Sequence, residues 1–152
     1  MPTRFAPDIR LTPVAPHDAD ELAALRVTAM RESLERIGRF DPERARARFL
    51  STFMPGNTQH IELAWAWVGV VVMSATADAV DLAHLYIRPE SQNQGTGAAV
   101  LREIVTTADR LRLPLRVTAL RDSAANRFYT IHGFALAEQT EFDNHYERAP
   151  ST

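Results

Sequence analysis

Two stretches of this sequence concentrate residues able to do chemistry. In the first, Leu82-Ala83-His84-Leu85-Tyr86-Ile87-Arg88 reads as an apolar strand, Pro89 to Gln94 as a polar loop, and Gly95-Thr96-Gly97 as the opening of a helix. Glycines there let the backbone approach a ligand closely, and the free N–H groups and dipole of a helix start suit an anionic phosphate. A tight strand-to-helix turn explains the same two glycines equally well. Two commoner nucleotide loops do not fit. The dinucleotide fingerprint wants a third glycine where Val100 stands, and the Walker loop wants a lysine, which the chain lacks entirely. The second stretch runs from Ala125 to Phe134 and places Phe128 and Tyr129 on a short helix that Gly133 ends.

Composition closes several other routes. With no cysteine there is no disulfide framework, thiolate zinc site or thiol nucleophile, and with no lysine there is no Schiff base. The five histidines (His17, His60, His84, His132, His145) are scattered without metal-ligand spacing, so no metal is expected. A net charge of −2 leaves no electrostatic footprint for nucleic acid. The longest apolar run, Leu63 to Met73, is well short of the roughly 20 residues of a membrane helix. Met1 to Asp8 has no apolar stretch of the kind a signal peptide carries, so a cytoplasmic location without membrane contact is expected.

The elements that must position these groups follow from periodicity and breakers. Ile9 to Val14 reads as an edge strand, and a helix opens at His17-Asp18-Ala19-Asp20 and stops at Gly38. Asp41-Pro42-Glu43 starts a second helix, which Pro55-Gly56-Asn57 stops. Strands follow at Gln59–Leu63, Trp67–Thr76 and Val80–Arg88, then a helix from Gly95 to Arg112. A strand at Pro114–Leu120, a helix at Ser123–His132 and a strand pair at Phe134–Glu138 and Phe142–Arg148 complete the chain. The order βααβββαβαββ predicts an α/β (α+β) fold, a mixed sheet with helices on both faces, in one domain over residues 1–152.

Two motifs in order carry a resemblance. Gln92-Asn93-Gln94-Gly95-Thr96-Gly97 matches the Q/R-x-x-G-x-G/A signature of the GCN5-related N-acetyltransferases (GNAT). Thirty residues on, Ala125-Asn126-Arg127-Phe128-Tyr129-Thr130-Ile131-His132-Gly133-Phe134 resembles that family's A-x-x-F-Y-x-x-x-G-F. The element order is similar too, and the family's sheet is mixed and mostly antiparallel.

The resemblance implies acetyl-CoA as cosubstrate. Its pantetheine would pair with the backbone of Leu85, Tyr86 and Ile87, and its pyrophosphate would sit on the loop Gln92, Asn93, Gln94, Gly95, Thr96, Gly97 and Ala98. An amine acceptor would attack the thioester directly through a tetrahedral intermediate, with Tyr129 returning a proton to the leaving thiolate. A phenol, with a pKa of about 10, holds that proton at neutral pH. Asp81, fourteen residues before Gly95, stands where histone-type members carry a glutamate base, and His84 is the alternative. Each also has a plainer reading, as a solvated carboxylate and a hydrogen-bonded core histidine. Asp122 departs from the asparagine that many members use against CoA, and Asn126 lies one helical turn on as its substitute. Glu32 and Glu35 border the acceptor region and could hold a cationic amine, although an exposed helix end explains them as well. With no acidic groove legible to attract a basic tail, the acceptor is expected to be a small molecule. The competing function is a CoA-binding module with little transfer. A homodimer is compatible with either.

Overall fold

A computed structural model describes residues 3–5 and 8–151, so half of the Met1–Asp8 segment read for a leader lies outside the described residues. Two compact units arise by contact: Met1–Val72 with His84–Glu103, and Met73–Ala83 with Ile104–Thr152. The strands are β1 (Thr3–Phe5), β2 (Ile9–Pro13), β3 (Thr58–Leu63), β4 (Ala66–Ala75), β5 (Val80–Ile87), β6 (Leu115–Leu120), β7 (Ala135–Gln139) and β8 (Asp143–Arg148). The helices are α1 (Ala19–Arg36), α2 (Pro42–Ser51), α3 (Thr96–Leu111) and α4 (Ala125–Ile131). Hydrogen-bonded neighbours run β1-β2-β3-β4-β5-β6-β8-β7. The expected order holds, with β1 added before the first expected strand. The β5–β6 pair is parallel, and the pairs β1–β2, β2–β3, β3–β4, β6–β8 and β7–β8 are antiparallel. No described helix is long and apolar enough to cross a membrane.

In the first unit, α1 buries Leu22, Ala23 and Leu25, and α2 buries Ala45 and Phe49. Asp41 caps α2 by accepting the Arg44 N–H at 3.1 Å, and Pro42 supplies the preset φ of the first helical position. These helices meet Val70, with Val72, Trp67 and Tyr86 packed around the same cluster. Val70 and Val71 are adjacent in β4 and both buried, so this strand is covered on its two faces. Val68 has no partner between the Ile61–Gly69 and Glu62–Trp67 pairs, a bulge in β4. Next to it, Gly69 lets the two strands close in: a Cβ there would lie 2.2 Å from the Tyr86 carbonyl oxygen.

The second unit packs α4 on β6, with Leu115, Val117 and Ala119 buried and Arg116 and Thr118 exposed between them. Alternation in β8 buries Asn144 and Tyr146 on the same side. Helix α4 ends in a left-handed Gly133 at φ 91°, and the Phe134 N–H returns to the Tyr129 carbonyl at 3.1 Å.

Candidate active site

The loop between β5 and α3 enters the helix through two left-handed residues. Asn93 and Gly95 have φ of 64° and 81°, left-handed positions that turn successive N–H groups to one side. The first bond of α3 runs from the Ala99 N–H to the Gly95 carbonyl at 3.0 Å. The N–H groups of Thr96, Gly97 and Ala98 therefore precede the helical ladder and have no partner within it. Gln92 donates its side-chain amide to the Ile87 carbonyl at 2.9 Å and ties the loop back to the strand end. Gln92 to Gly95 are exposed, and a Cβ on Gly95 would meet nothing, so the space over the loop is open. A pyrophosphate fits this donor set, which needs no lysine.

On β5 the structure separates residues that share a strand in the sequence. His84 and Tyr86 turn toward α1 and α2, where the guanidinium of Arg26, 7% exposed, joins them. Arg26 donates through Nε to the Tyr86 hydroxyl at 3.3 Å and through Nη1 to the Ala45 carbonyl at 2.6 Å. The Tyr86 oxygen lies 2.9 Å from His84 Nδ1. The hydroxyl and the neutral imidazole share that bond, each as donor or acceptor according to the tautomer. Burial, then the charges of Arg26 and Arg48, push His84 down to about 4, and burial pushes the Tyr86 phenol up. His84 thus stays neutral near pH 7 as a weak base engaged in a hydrogen bond. Of its two readings, the hydrogen-bonded core histidine is the one this geometry favours. Sequence reasoning missed Arg26 because a lone arginine in an amphipathic helix gives no sign of burial.

Asp81 belongs to the second unit, in register with Arg116 of β6. Tyr129 is 8% exposed and its ring packs near Phe128 and Phe134, each 5.4 Å away, and Tyr146 at 6.2 Å. Asn126 serves the fold. Its Nδ2 donates to the Leu120, Arg121 and Ser123 carbonyls at 2.7, 3.0 and 2.9 Å, and its Oδ1 accepts from Asn144 and Tyr146, both at 2.8 Å. These bonds tie its amide to the corner between β6 and α4. Glu32 and Glu35 pair with Arg36 and Arg31 at 3.1 and 3.0 Å along exposed α1.

The family follows from a direct comparison. The model of the acetyltransferase (GNAT) domain matches residues 28–150 of this chain. The chain belongs to the GNAT acetyltransferase family. No curated protein sequence matches it. Among solved structures, the GNAT fold recurs in the PaiA N-acetyltransferase from Thermoplasma acidophilum, in complex with coenzyme A, at a TM-score of 0.74 and 14% identity. That match covers 93% of this chain and 98% of that one. An acetyltransferase from Thermus thermophilus aligns at 0.71 and 19% identity, over 93% of this chain and 97% of its own. RimL, a ribosomal L7/L12 alpha-N-protein acetyltransferase in complex with coenzyme A, aligns at 0.68 and 17%, over 99% and 98%. At these identities the likeness is one of fold.

Proposed function

We propose that this GNAT domain transfers the acetyl group of acetyl-CoA to the primary amine of a small molecule. The observation that carries it is the open loop of left-handed Asn93 and Gly95 feeding unpaired N–H groups at the start of α3, in a family of acetyltransferases. Coenzyme A in two structures of the same fold supports the cosubstrate. When bound, acetyl-CoA supplies an acyl group activated as a thioester. Asn93 to Ala98 hold its pyrophosphate, and the backbone of Leu85 to Ile87 orients its pantetheine. A backbone N–H at Tyr86 or Ile87 gives a donor for negative charge on the carbonyl oxygen. Tyr129 holds a proton at Oη for the departing sulfur. A cytoplasmic location belongs to the same proposal and is read by fractionation.

Thiol release on mixing the protein with acetyl-CoA and a panel of primary amines tests the reading. Amine-dependent release above the hydrolysis background is the expected result. Saturable CoA binding with no transfer to any amine would overturn it in favour of a binding module.

A further inference from the structure

Among the described residues Arg26 is the only charged side chain that is buried, and no carboxylate pairs with it. A guanidinium held out of water without a counter-ion is costly, and a packed apolar side chain would stabilise the same place better. What this one supplies is direction. Its Nε donates to the Tyr86 hydroxyl at 3.3 Å and its Nη1 to the Ala45 carbonyl at 2.6 Å, so one side chain of α1 reaches both α2 and β5. His84 Nδ1 meets the same hydroxyl at 2.9 Å, and the ring of Phe49 lies 5.4 Å from the imidazole. The Tyr86 side chain is thereby tied to three residues, in two helices and its own strand.

The backbone beside it is fixed as well. The Tyr86 carbonyl lies against Gly69 of β4, and two residues on the Arg88 N–H donates to the Val68 carbonyl at 2.7 Å. Polar backbone groups alternate in direction along a strand, so with Tyr86 and Arg88 facing β4, those of Ile87 between them face away. The loop agrees: Gln92 reaches the Ile87 carbonyl at 2.9 Å from that other side. Pairing with β6 extends only as far as Leu82, which leaves the Ile87 N–H without a strand partner among the described residues. One free donor therefore stands on β5 just before the glycine loop, and its direction follows from how Tyr86 is held.

We infer that Arg26 is a positioning residue: by fixing the Tyr86 side chain it aims the Ile87 N–H at the acyl-bearing arm of acetyl-CoA. The inference rests on the acetyl-CoA reading of the site, but binding alone reads it. Two probes are titrated calorimetrically into the whole chain with amine omitted: acetyl-CoA, and ADP, which carries the pyrophosphate without the arm. Arg26→Met and Tyr86→Phe each weaken acetyl-CoA about fivefold and leave ADP unchanged; the loss stays below the roughly tenfold of a whole hydrogen bond to a charged group because the link acts at one remove. The double variant is no weaker than either single one, since both break the same link. Arg26→Lys, which keeps a charged donor, falls between wild type and Arg26→Met. In transfer assays kcat/KM for acetyl-CoA falls in the same order while KM for the amine stays. A merely structural arginine would lower the urea midpoint and leave the ratio of the two affinities alone. Should Arg26→Met not fold, Tyr86→Phe, which deletes one hydroxyl, decides. An unchanged acetyl-CoA to ADP ratio in the variants overturns the positioning role and leaves the cosubstrate reading standing. Acetyl-CoA that binds the wild type no tighter than ADP overturns that reading, and the inference with it.

Discussion

Replacing His84 by glutamine isolates what one buried imidazole does to stability. Folded, His84 is held at about 4, against an ordinary value of 6.5. Between those values the unfolded chain binds more protons than the folded one, so stability rises with pH across this window. The contribution is complete above pH 6.5 and is lost as pH falls toward 4. Protonation would set an N–H against the Tyr86 hydroxyl and add a cation beside Arg26 and Arg48. The full shift corresponds to about 3 kcal/mol. His84 is only partly buried, so between pH 7 and pH 5 we expect a loss of about 1–2 kcal/mol. Glutamine keeps an acceptor for the Tyr86 hydroxyl without a titrating group. Urea melts of wild type and His84→Gln at pH 7, 6 and 5 read the difference, and any pH-independent cost of the substitution cancels. The carboxyls of Asp18 and Asp109 are held low by hydrogen bonds, chiefly from the Ala15 N–H and from Arg148, so what they contribute disappears only below the ordinary value of 3.8, outside the window. Parallel wild-type and variant profiles from pH 7 to 5 would refute the reasoning, because His84 would then titrate alike folded and unfolded.

Two glycines of the first unit, Gly95 and Gly69, should respond differently. Gly95→Ala meets open space and suffers only its left-handed φ, so we expect about 1 kcal/mol in thermal melts and a higher KM for acetyl-CoA. Gly69→Ala pushes a methyl into the Tyr86 carbonyl and should cost more, about 3 kcal/mol; a milder effect than Gly95→Ala would contradict the close approach. Asn126→Ala strands the polar groups of the β6–α4 corner, for an expected loss of about 2–3 kcal/mol in urea melts with CoA affinity retained. Tyr129→Phe should lower turnover and leave CoA binding nearly intact; unchanged turnover would make the ring a packing residue.

Much of the fold was legible because its signals are local. Pro42 after Asp41, Gly38, Gly95 and Gly133 punctuate helices through their own φ preferences, and these mark the ends of α1, α2, α3 and α4 within a residue or two. The loop of residues 92–98 was legible for the same reason, since left-handed turns and free helix-start amides belong to a contiguous segment. Alternation in Leu115–Leu120 likewise foretold which residues of β6 are buried. Side-chain pairing was less legible: the partners of Asn126, Asn144 and Tyr146, come 18 and 20 residues later, and the pairing of Glu32 and Glu35 with arginines appears only once α1 is formed.

The sequence by itself determined the element order, the glycine loop and the family, since each rests on short motifs with their own backbone chemistry. Only the tertiary structure decided how the charges are used. It buried Arg26 against Tyr86 and His84. The reason is packing: helix docking and strand order set groups remote in the chain on one surface, and their charge and desolvation depend on those neighbours rather than on residues beside them in sequence.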